Sequence, residues 1–279
     1  VSEAGQTFLT KELRLRILSA IVMIAVTLIV TWVGDFSFRM LCAGIGAAVF
    51  YEWLKMAKAH STAPERQLSG LLMATAGIIV LTAPGGALSF VMVGALAVLA
   101  LFAAPMLGST RWNAVGLAYA SLAALSLALL RGGEVEGLKT VVFVFVVVWA
   151  TDIMAYFVGR TFGGPKLAPA ISPGKTWSGA LGGTVFALVF GMFAAFMMET
   201  RLPVGALLVL IVALSVASQA GDLFESWLKR RFQVKDSSKL IPGHGGVMDR
   251  VDGLVAASLL LYVIGAVLAD PDRPALAFF

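Results

Sequence analysis

Long uncharged stretches alternate with short charged ones along the whole chain. Residues 17–34, 67–110, 112–130, 176–198, 202–221 and 253–269 contain no Asp, Glu, Lys or Arg. A helical run of about 20 apolar residues matches the hydrocarbon thickness of a bilayer. The pattern predicts nine membrane-spanning helices, at 15–34, 37–56, 67–83, 87–104, 113–130, 138–159, 179–198, 204–224 and 253–269. The longest uncharged run is divided at "APGGA", 83–87, where Pro84 and two glycines predict a tight turn. Small residues recur within the spans ("AGIGAA", "GALGGT"), as expected where helices pack closely. The expected fold is an all-α polytopic integral membrane protein, with helices 1–5 in residues 1–130 and helices 6–9 in residues 131–279. Two polar segments, 159–178 and 225–252, interrupt the second part.

Composition agrees with that pattern and adds a direction. Hydrophobic residues make up 59% of the chain and charged ones 13%, which excludes an ordinary soluble domain. The first apolar run is too long for the core of a signal peptide and reads as a retained helix. The single cysteine, Cys42, lies in an apolar run, so no internal disulfide forms and a packed thiol is expected. With each cation assigned to its nearest loop, 16 of the 21 Lys and Arg fall on the side of the N-terminus. Arg39, Arg131, Lys139, Arg201 and Arg273 fall opposite. By the positive-inside rule the N-terminus and both polar segments are cytoplasmic and the C-terminus is outside. With so little aqueous mass, the chain is either an enzyme acting on lipid at the interface or a transporter. The formal charge of +5 fits anionic headgroups or phosphorylated substrates, and no nucleic-acid partner is expected.

The charged residues cluster where two apolar runs meet polar sequence. Asp222 and Glu225, three apart, share a helix face at the end of the eighth span, and Gln219, Ser226 and Lys229 lie near it. An acid after twenty uncharged residues is costly without a partner, which marks Asp222 as functional. Asp249 and Asp252 repeat the spacing before the ninth span. Convergence of the two pairs would suit magnesium, which keeps several waters and needs few protein carboxylates. A third acid, Asp152, has Trp149, Tyr156 and Gly159 at helical spacing and is expected to face the bundle interior. There it either supports the site or bonds a neighbouring helix.

Basic and flexible residues surround the acids. Lys229, Arg230, Arg231, Lys235, Lys239 and Arg250 supply positive charge, and Gly243, Gly245 and Gly246 could present N–H groups to phosphate. His244, set between glycines, is a candidate catalyst. In the other polar segment, "SPGKTWSG" lacks the GxxxxGK[ST] spacing and no strand is expected before it, so it is not read as a nucleotide-binding P-loop. Its Ser172, Lys175 and Thr176 could still bind an anion at the start of the seventh helix. The combination points to phosphoryl or nucleotidyl transfer on a lipid phosphate, which needs positioning and charge neutralisation more than a covalent nucleophile.

The stretch "SWLKRRFQVKDSSKLIPGHGGVMDRVD", 226–252, resembles the signature of the phosphatidate cytidylyltransferases (CDP-diacylglycerol synthases). The pattern is met by Ser226, Lys229, Arg230, Lys235, Asp236, His244, Gly245, Gly246, Asp249, Arg250 and Asp252. The similarity extends through "GDLFES", "SPGKTWSG" and "TDIMAYFVGRTFG", and departs at Ser178, where family members often carry Glu. The resemblance implies transfer of a cytidylyl group from CTP to phosphatidic acid in a bacterial-type inner membrane, with the active site facing the cytoplasm. It implies Mg2+ and admits a second, monovalent cation such as K+, and a homodimer. By that resemblance the catalytic residues are Asp222, Lys235, His244, Asp249 and Arg250. Metal acids are drawn from Asp222, Asp249, Glu225 and Asp252, with Asp249 preferred to Asp252. Substrate phosphates fall to Ser172, Lys175, Thr176, Ser226, Lys229, Arg230, Lys239, Gly245 and Gly246.

Two rivals fit less well. A cation-coupled transporter would place its acids near the midplane between internal repeats, and none is discernible. A CDP-alcohol phosphotransferase would carry a DG-x2-AR run, but the one "DG", Asp252-Gly253, is followed by "LVAASLL".

Overall fold

The computed structural model describes residues 3–57, 62–108 and 110–279, with side chains from residue 13 onward. Lys11 and Lys58, two of the cations counted above, lie outside the described side chains. Among the described residues nine α-helices form: α1 Glu3–Val33, α2 Asp35–Met56, α3 Ala63–Thr82, α4 Gly86–Met106, α5 Trp112–Arg131, α6 Val135–Phe162, α7 Trp177–Met197, α8 Val204–Arg231 and α9 Met248–Leu268. Each predicted span falls on one helix, and α3 gives way to α4 within "APGGA". Seven helices are long and apolar enough to cross a membrane; α2 and α3 are not among them. Those two carry Asp35, Arg39, Glu52 and Lys55, and Glu65 and Arg66, which lower their hydropathy. The molecule is an all-helical membrane protein.

One feature departs from the expected all-α plan. The segment before α7 folds as an antiparallel hairpin of β1 Lys166–Ala168 and β2 Ser172–Thr176, with Lys166 opposite Thr176 and Ala168 opposite Ser172. A strand therefore does precede "GKT", contrary to expectation; Pro- and Gly-rich sequence concealed it. The P-loop spacing remains absent, since Pro169 stands where the first glycine would be.

The bundle is organised around α5. Its Ala114, Gly116, Ala120, Ala123, Ala124 and Ala128 are buried, so neighbouring backbones approach closely. Trp53 of α2 is fully buried against it and donates from Nε1 to the Trp112 carbonyl at 2.8 Å. A Cβ on Gly116 would lie 2.3 Å from the Trp53 ring. In contrast, α1 lies at the periphery, with none of its most apolar stretch buried. Buried Arg131 holds its end, donating to the carbonyls of Thr31 at 2.7 Å and Trp32 at 3.2 Å. These carbonyls would otherwise be unpaired at a helix C-terminus.

Three helices are longer than a hydrocarbon core requires, namely α1 with 31 residues, α6 and α8. α6 and α8 each have 28 residues, so each is about 42 Å long against a hydrocarbon core of about 30 Å. Their last turns continue beyond the predicted spans and meet at the β-hairpin, which both contact. Glu225, Ser226, Lys229 and Arg230 thus stand on a helix rather than in a loop. Asp249, Arg250 and Asp252 likewise belong to the first turns of α9.

Glycine sets the crossing of α8 over α9. A Cβ on Gly221 would lie 2.5 Å from the Asp252 carbonyl oxygen and 2.8 Å from Ala256 Cβ. A Cβ on Gly253 would lie 2.5 Å from Ser218 Oγ. Each glycine adjoins an acid in sequence, so the contact that joins the helices also joins Asp222 to Asp252. Gly221→Ala meets backbone and should destabilise the protein by about 1–3 kcal/mol, the usual range for overpacking. Thermal unfolding in detergent checks this.

Candidate active site

The α8–α9 crossing gathers three acids of the four expected. One carboxylate oxygen from each of Asp222, Glu225 and Asp252 lies within 4.8 Å of the others. Glu225 is buried; its Oε2 accepts from Lys229 Nζ at 3.0 Å, while its Oε1 is buried without a hydrogen-bond partner. A buried carboxylate oxygen left unpaired is expensive. Three hard oxygen donors at this separation, one lacking a partner, fit a divalent cation such as magnesium.

Asp249, the acid preferred to Asp252 for a metal, stands apart from that trio. Its Oδ1 accepts from Lys229 Nζ at 2.8 Å. Its Oδ2 accepts from Ser237 N at 3.1 Å, Ser237 Oγ at 2.9 Å and Gly246 N at 2.9 Å. Both oxygens are engaged because Asp249, in the first turn of α9, faces the donors of its own incoming loop. Asp252, one turn further on, faces α8 instead. Lys229 consequently bridges Glu225 and Asp249.

Beside the trio lies a cavity of about 580 Å³ between α6, the hairpin, α7 and α8. Asp152, Arg160, Lys166, Lys175, Gln219 and Asp222 supply its charged and amide groups. Lys175 Nζ pairs with Asp222 Oδ2 at 2.6 Å. Asp152 is exposed to this space, which agrees with its expected inward orientation. Glycines bring its walls together: a Cβ on Gly179 would lie 2.7 Å from the Ala155 carbonyl, and one on Gly183 2.6 Å from that of Thr151. Above Gln219, a chain of hydroxyls crosses three helices. Gln219 Nε2 donates to Thr184 Oγ1 at 3.1 Å, Thr184 meets Ser215 Oγ at 3.0 Å, and Thr151 donates to Ser215 at 2.9 Å.

The remaining predicted residues divide between this site and its frame. Thr176 is buried and caps α7, accepting from Gly179 N at 3.1 Å. Ser178 donates to the Gly163 carbonyl and closes the hairpin onto the end of α6. Ser172 opens β2, and Arg230 Nε donates to the adjacent Ile171 carbonyl at 3.3 Å. Ser226 Oγ lies 3.5 Å from Asp222 Oδ1. His244 Nδ1 lies 2.9 Å from Ser19 Oγ of α1, which ties the loop to the peripheral helix. Lys235, Lys239 and Arg250 are exposed. Gly245 has φ +87°, in the left-handed region that glycine tolerates. The Gly246 amide is occupied by Asp249, and a Cβ there would lie 1.9 Å from Ser237 Oγ. Gly246 thus shapes the loop around buried acids, with its amide already engaged.

One residue at this site was not anticipated. Glu52 of α2 is fully buried and faces four donors in the segment before α9 and at its first residue, one of them a Ser237 hydroxyl shared with Asp249. Ser238 Oγ and Val247 N donate to its Oε1 at 2.5 and 2.8 Å. Ser237 Oγ and Met248 N lie at 3.1 and 2.7 Å from its Oε2. In the sequence, nothing near "YEWLK" announces donors almost 200 residues away.

The bridging cation gives a direct test of this framework. Lys229 is largely covered, with Glu225 and Asp249 more so. Lys229→Met leaves two carboxylates without their cation and should destabilise the protein by about 3–5 kcal/mol. Lys229→Arg should recover part of that loss, measured by thermal unfolding of both variants in the same detergent.

Comparison with known proteins converges on this region and extends beyond it. The cytidylyltransferase family matches residues 14–268. A protein of Brucella suis biovar 1 named phosphatidate cytidylyltransferase is 48% identical over 270 residues, covering 96% of this chain and 98% of its own. A protein of the same name from Bacillus subtilis is 33% identical over 270 residues, covering 92% and 99%. One from Haemophilus influenzae is 50% identical over 126 residues, covering 44% of each chain. Matches of this length and identity extend well past the signature segment, and the chain belongs to the cytidylyltransferase family.

Proposed function

We propose that the chain transfers a cytidylyl group from CTP to phosphatidic acid, giving CDP-diacylglycerol and pyrophosphate for phospholipid synthesis. The observation that carries this reading is the trio of Asp222, Glu225 and Asp252, with an unpartnered buried carboxylate oxygen, beside a cavity edged by Arg160, Lys166 and Lys175. It combines a place for a divalent cation with cations for phosphates, at a membrane-embedded site. The names of the full-length relatives select the cytidylyl group and the lipid acceptor.

In this reading an oxygen of the phosphatidate headgroup attacks the α-phosphorus of CTP, the bond to the β-phosphate bridge breaks, and pyrophosphate leaves. Asp222, Glu225 and Asp252 would hold magnesium, which supplies neutralisation of the phosphate charge when bound. Lys175 exchanges its partner, from the Asp222 carboxylate to a substrate phosphate, and so frees Asp222 as the triphosphate arrives. Arg160 and Lys166 hold phosphate oxygens from the hairpin side; Arg230, Lys235, Lys239 and Arg250 draw anions to the rim. Asp249 keeps Lys229 in place, and His244 anchors its loop on Ser19. No side chain needs to act as general base, because phosphatidate is already anionic near neutral pH. Exposed Phe157, Phe162 and Trp177 lie on α6 and α7, where acyl chains would lie against the protein.

The nine-span arrangement with the N-terminus and active site in the cytoplasm and the C-terminus outside belongs to the same reading. The bias of Lys and Arg supports it. A reporter fused after Phe279 should appear on the outer side of the inner membrane.

Purified protein given labelled CTP, phosphatidic acid and magnesium should form CDP-diacylglycerol, and a chelator should abolish the product. Asp222→Asn and Asp252→Asn should each lower kcat on the order of 10²–10³-fold without loss of folded protein. Near-normal turnover in both variants would overturn the site.

A further inference from the structure

The strongest feature left outside this scheme is the buried carboxylate of Glu52. It lies on α2, in the half of the chain remote from the signature, yet all four donors facing it lie in residues 237–248. Its neighbour Trp53 is locked into the core against Gly116 and the Trp112 carbonyl, so α2 is a rigid post at this point.

We infer that Glu52 is the positioning residue of the acidic trio, the fixed point from which the loop and the first turn of α9 are hung; this rests on the function proposed above. Two connected routes lead from it to the trio. Through the backbone, its bonds from Val247 N and Met248 N fix the start of α9, and Asp252 follows one turn after Met248. Through side chains, Ser237 Oγ stands between Glu52 Oε2 at 3.1 Å and Asp249 Oδ2 at 2.9 Å. Asp249 then holds Lys229 at 2.8 Å, and Lys229 holds Glu225 at 3.0 Å. Glu52 therefore governs the placement of both Asp252 and Glu225 without touching substrate.

The chemistry requires a carboxylate there. Each Glu52 oxygen accepts from one backbone N–H, Oε1 from Val247 and Oε2 from Met248. A glutamine in either orientation would turn its NH2 toward one of those amides, donor against donor. A serine hydroxyl can rotate to accept, but an amide N–H cannot. Gly246 closes the arrangement, since a Cβ there would lie 2.7 and 2.8 Å from the two Glu52 oxygens. Glycine at 246 is thus explained by the acid it must pass.

Full-length protein in detergent decides the matter with three readouts on Glu52→Gln. Leu72→Ala serves as control, because it opens the same core cluster without touching the loop. Hydrogen–deuterium exchange without metal should show the 245–249 region exchanging about tenfold faster in E52Q and unchanged in the control. Mn2+ binding followed by electron paramagnetic resonance, without nucleotide, should weaken about 10–100-fold in E52Q, the range for residues that orient metal ligands. Turnover should fall through kcat, with KM for CTP within about threefold of wild type. Should E52Q fail to fold, Glu52→Asp keeps both acceptors on a shorter stem and carries the same test, with intermediate losses expected. Unchanged exchange in the variant overturns the clasp. Faster exchange with wild-type Mn2+ affinity and kcat overturns its positioning role. A wild-type protein that binds Mn2+ but makes no CDP-diacylglycerol overturns the proposed function alone, since exchange and metal binding still report on Glu52.

Discussion

A carboxylate carried into a membrane-embedded bundle must be answered by donors or by a cation, and the active end of this molecule is organised by that requirement. Glu52 is answered by two amides and the Ser238 hydroxyl, and it shares the single Ser237 hydroxyl proton with Asp249. Asp249 is answered by Lys229, two amides and a hydroxyl. These bonds pin the loop between α8 and α9 at Ser237, Ser238 and Gly246. The deficit falls on the trio: Glu225 has one oxygen without a partner, and Asp222 relies on a lysine from across the cavity. Charge left unanswered at one place, in a protein that answers it so thoroughly nearby, is what a site for a divalent ion requires.

Small residues decide where the unanswered charge accumulates. Gly221 and Gly253 let α8 and α9 touch backbone to backbone, and each stands next to an acid. Without a hydrophobic driving force between helices in lipid, such close packing is a main source of association. The repulsion between Asp222 and Asp252 works against it. Packing energy along the rest of the crossing thus holds together two groups that would otherwise separate. The same logic on the other wall, at Gly179 and Gly183, brings α7 onto α6 and presents Lys175 to Asp222.

The helices and the gathering of acids where α8 meets α9 were legible because both rest on local pattern. Uncharged runs of bilayer length mark helices whatever their partners, and "APGGA" marks a turn by backbone chemistry alone. The three-residue spacing of Asp222 with Glu225 similarly reports a shared helix face. What the pattern does not carry is which acid faces which neighbour. Asp249 and Asp252 differ by one turn of α9, yet one turns to its own loop and the other to α8. That choice depends on the start of α9, which depends on Glu52, nearly 200 residues earlier. The role of Gly246 was hidden for the same reason: the acids it accommodates lie elsewhere in the chain or beyond a turn. The hairpin escaped notice because its strands are short and rich in proline and glycine, residues that ordinarily argue against a strand.

The absence of a separate aqueous domain among the described residues follows from helix length. α6 and α8 extend past the hydrocarbon by enough turns to build the cavity walls, and the hairpin that joins α6 to α7 closes one side. In the proposed arrangement their polar ends would stand at the level of lipid headgroups rather than above them. A phosphate attached to a diacylglycerol is confined to that same level, since its acyl chains remain in the bilayer. The acids and lysines need not reach for such a substrate, nor must the lipid leave its leaflet. A water-soluble nucleotide can descend to the headgroup plane at far smaller desolvation cost than a lipid can rise from it, so a site built from overlong helix ends is the arrangement that suits both reactants.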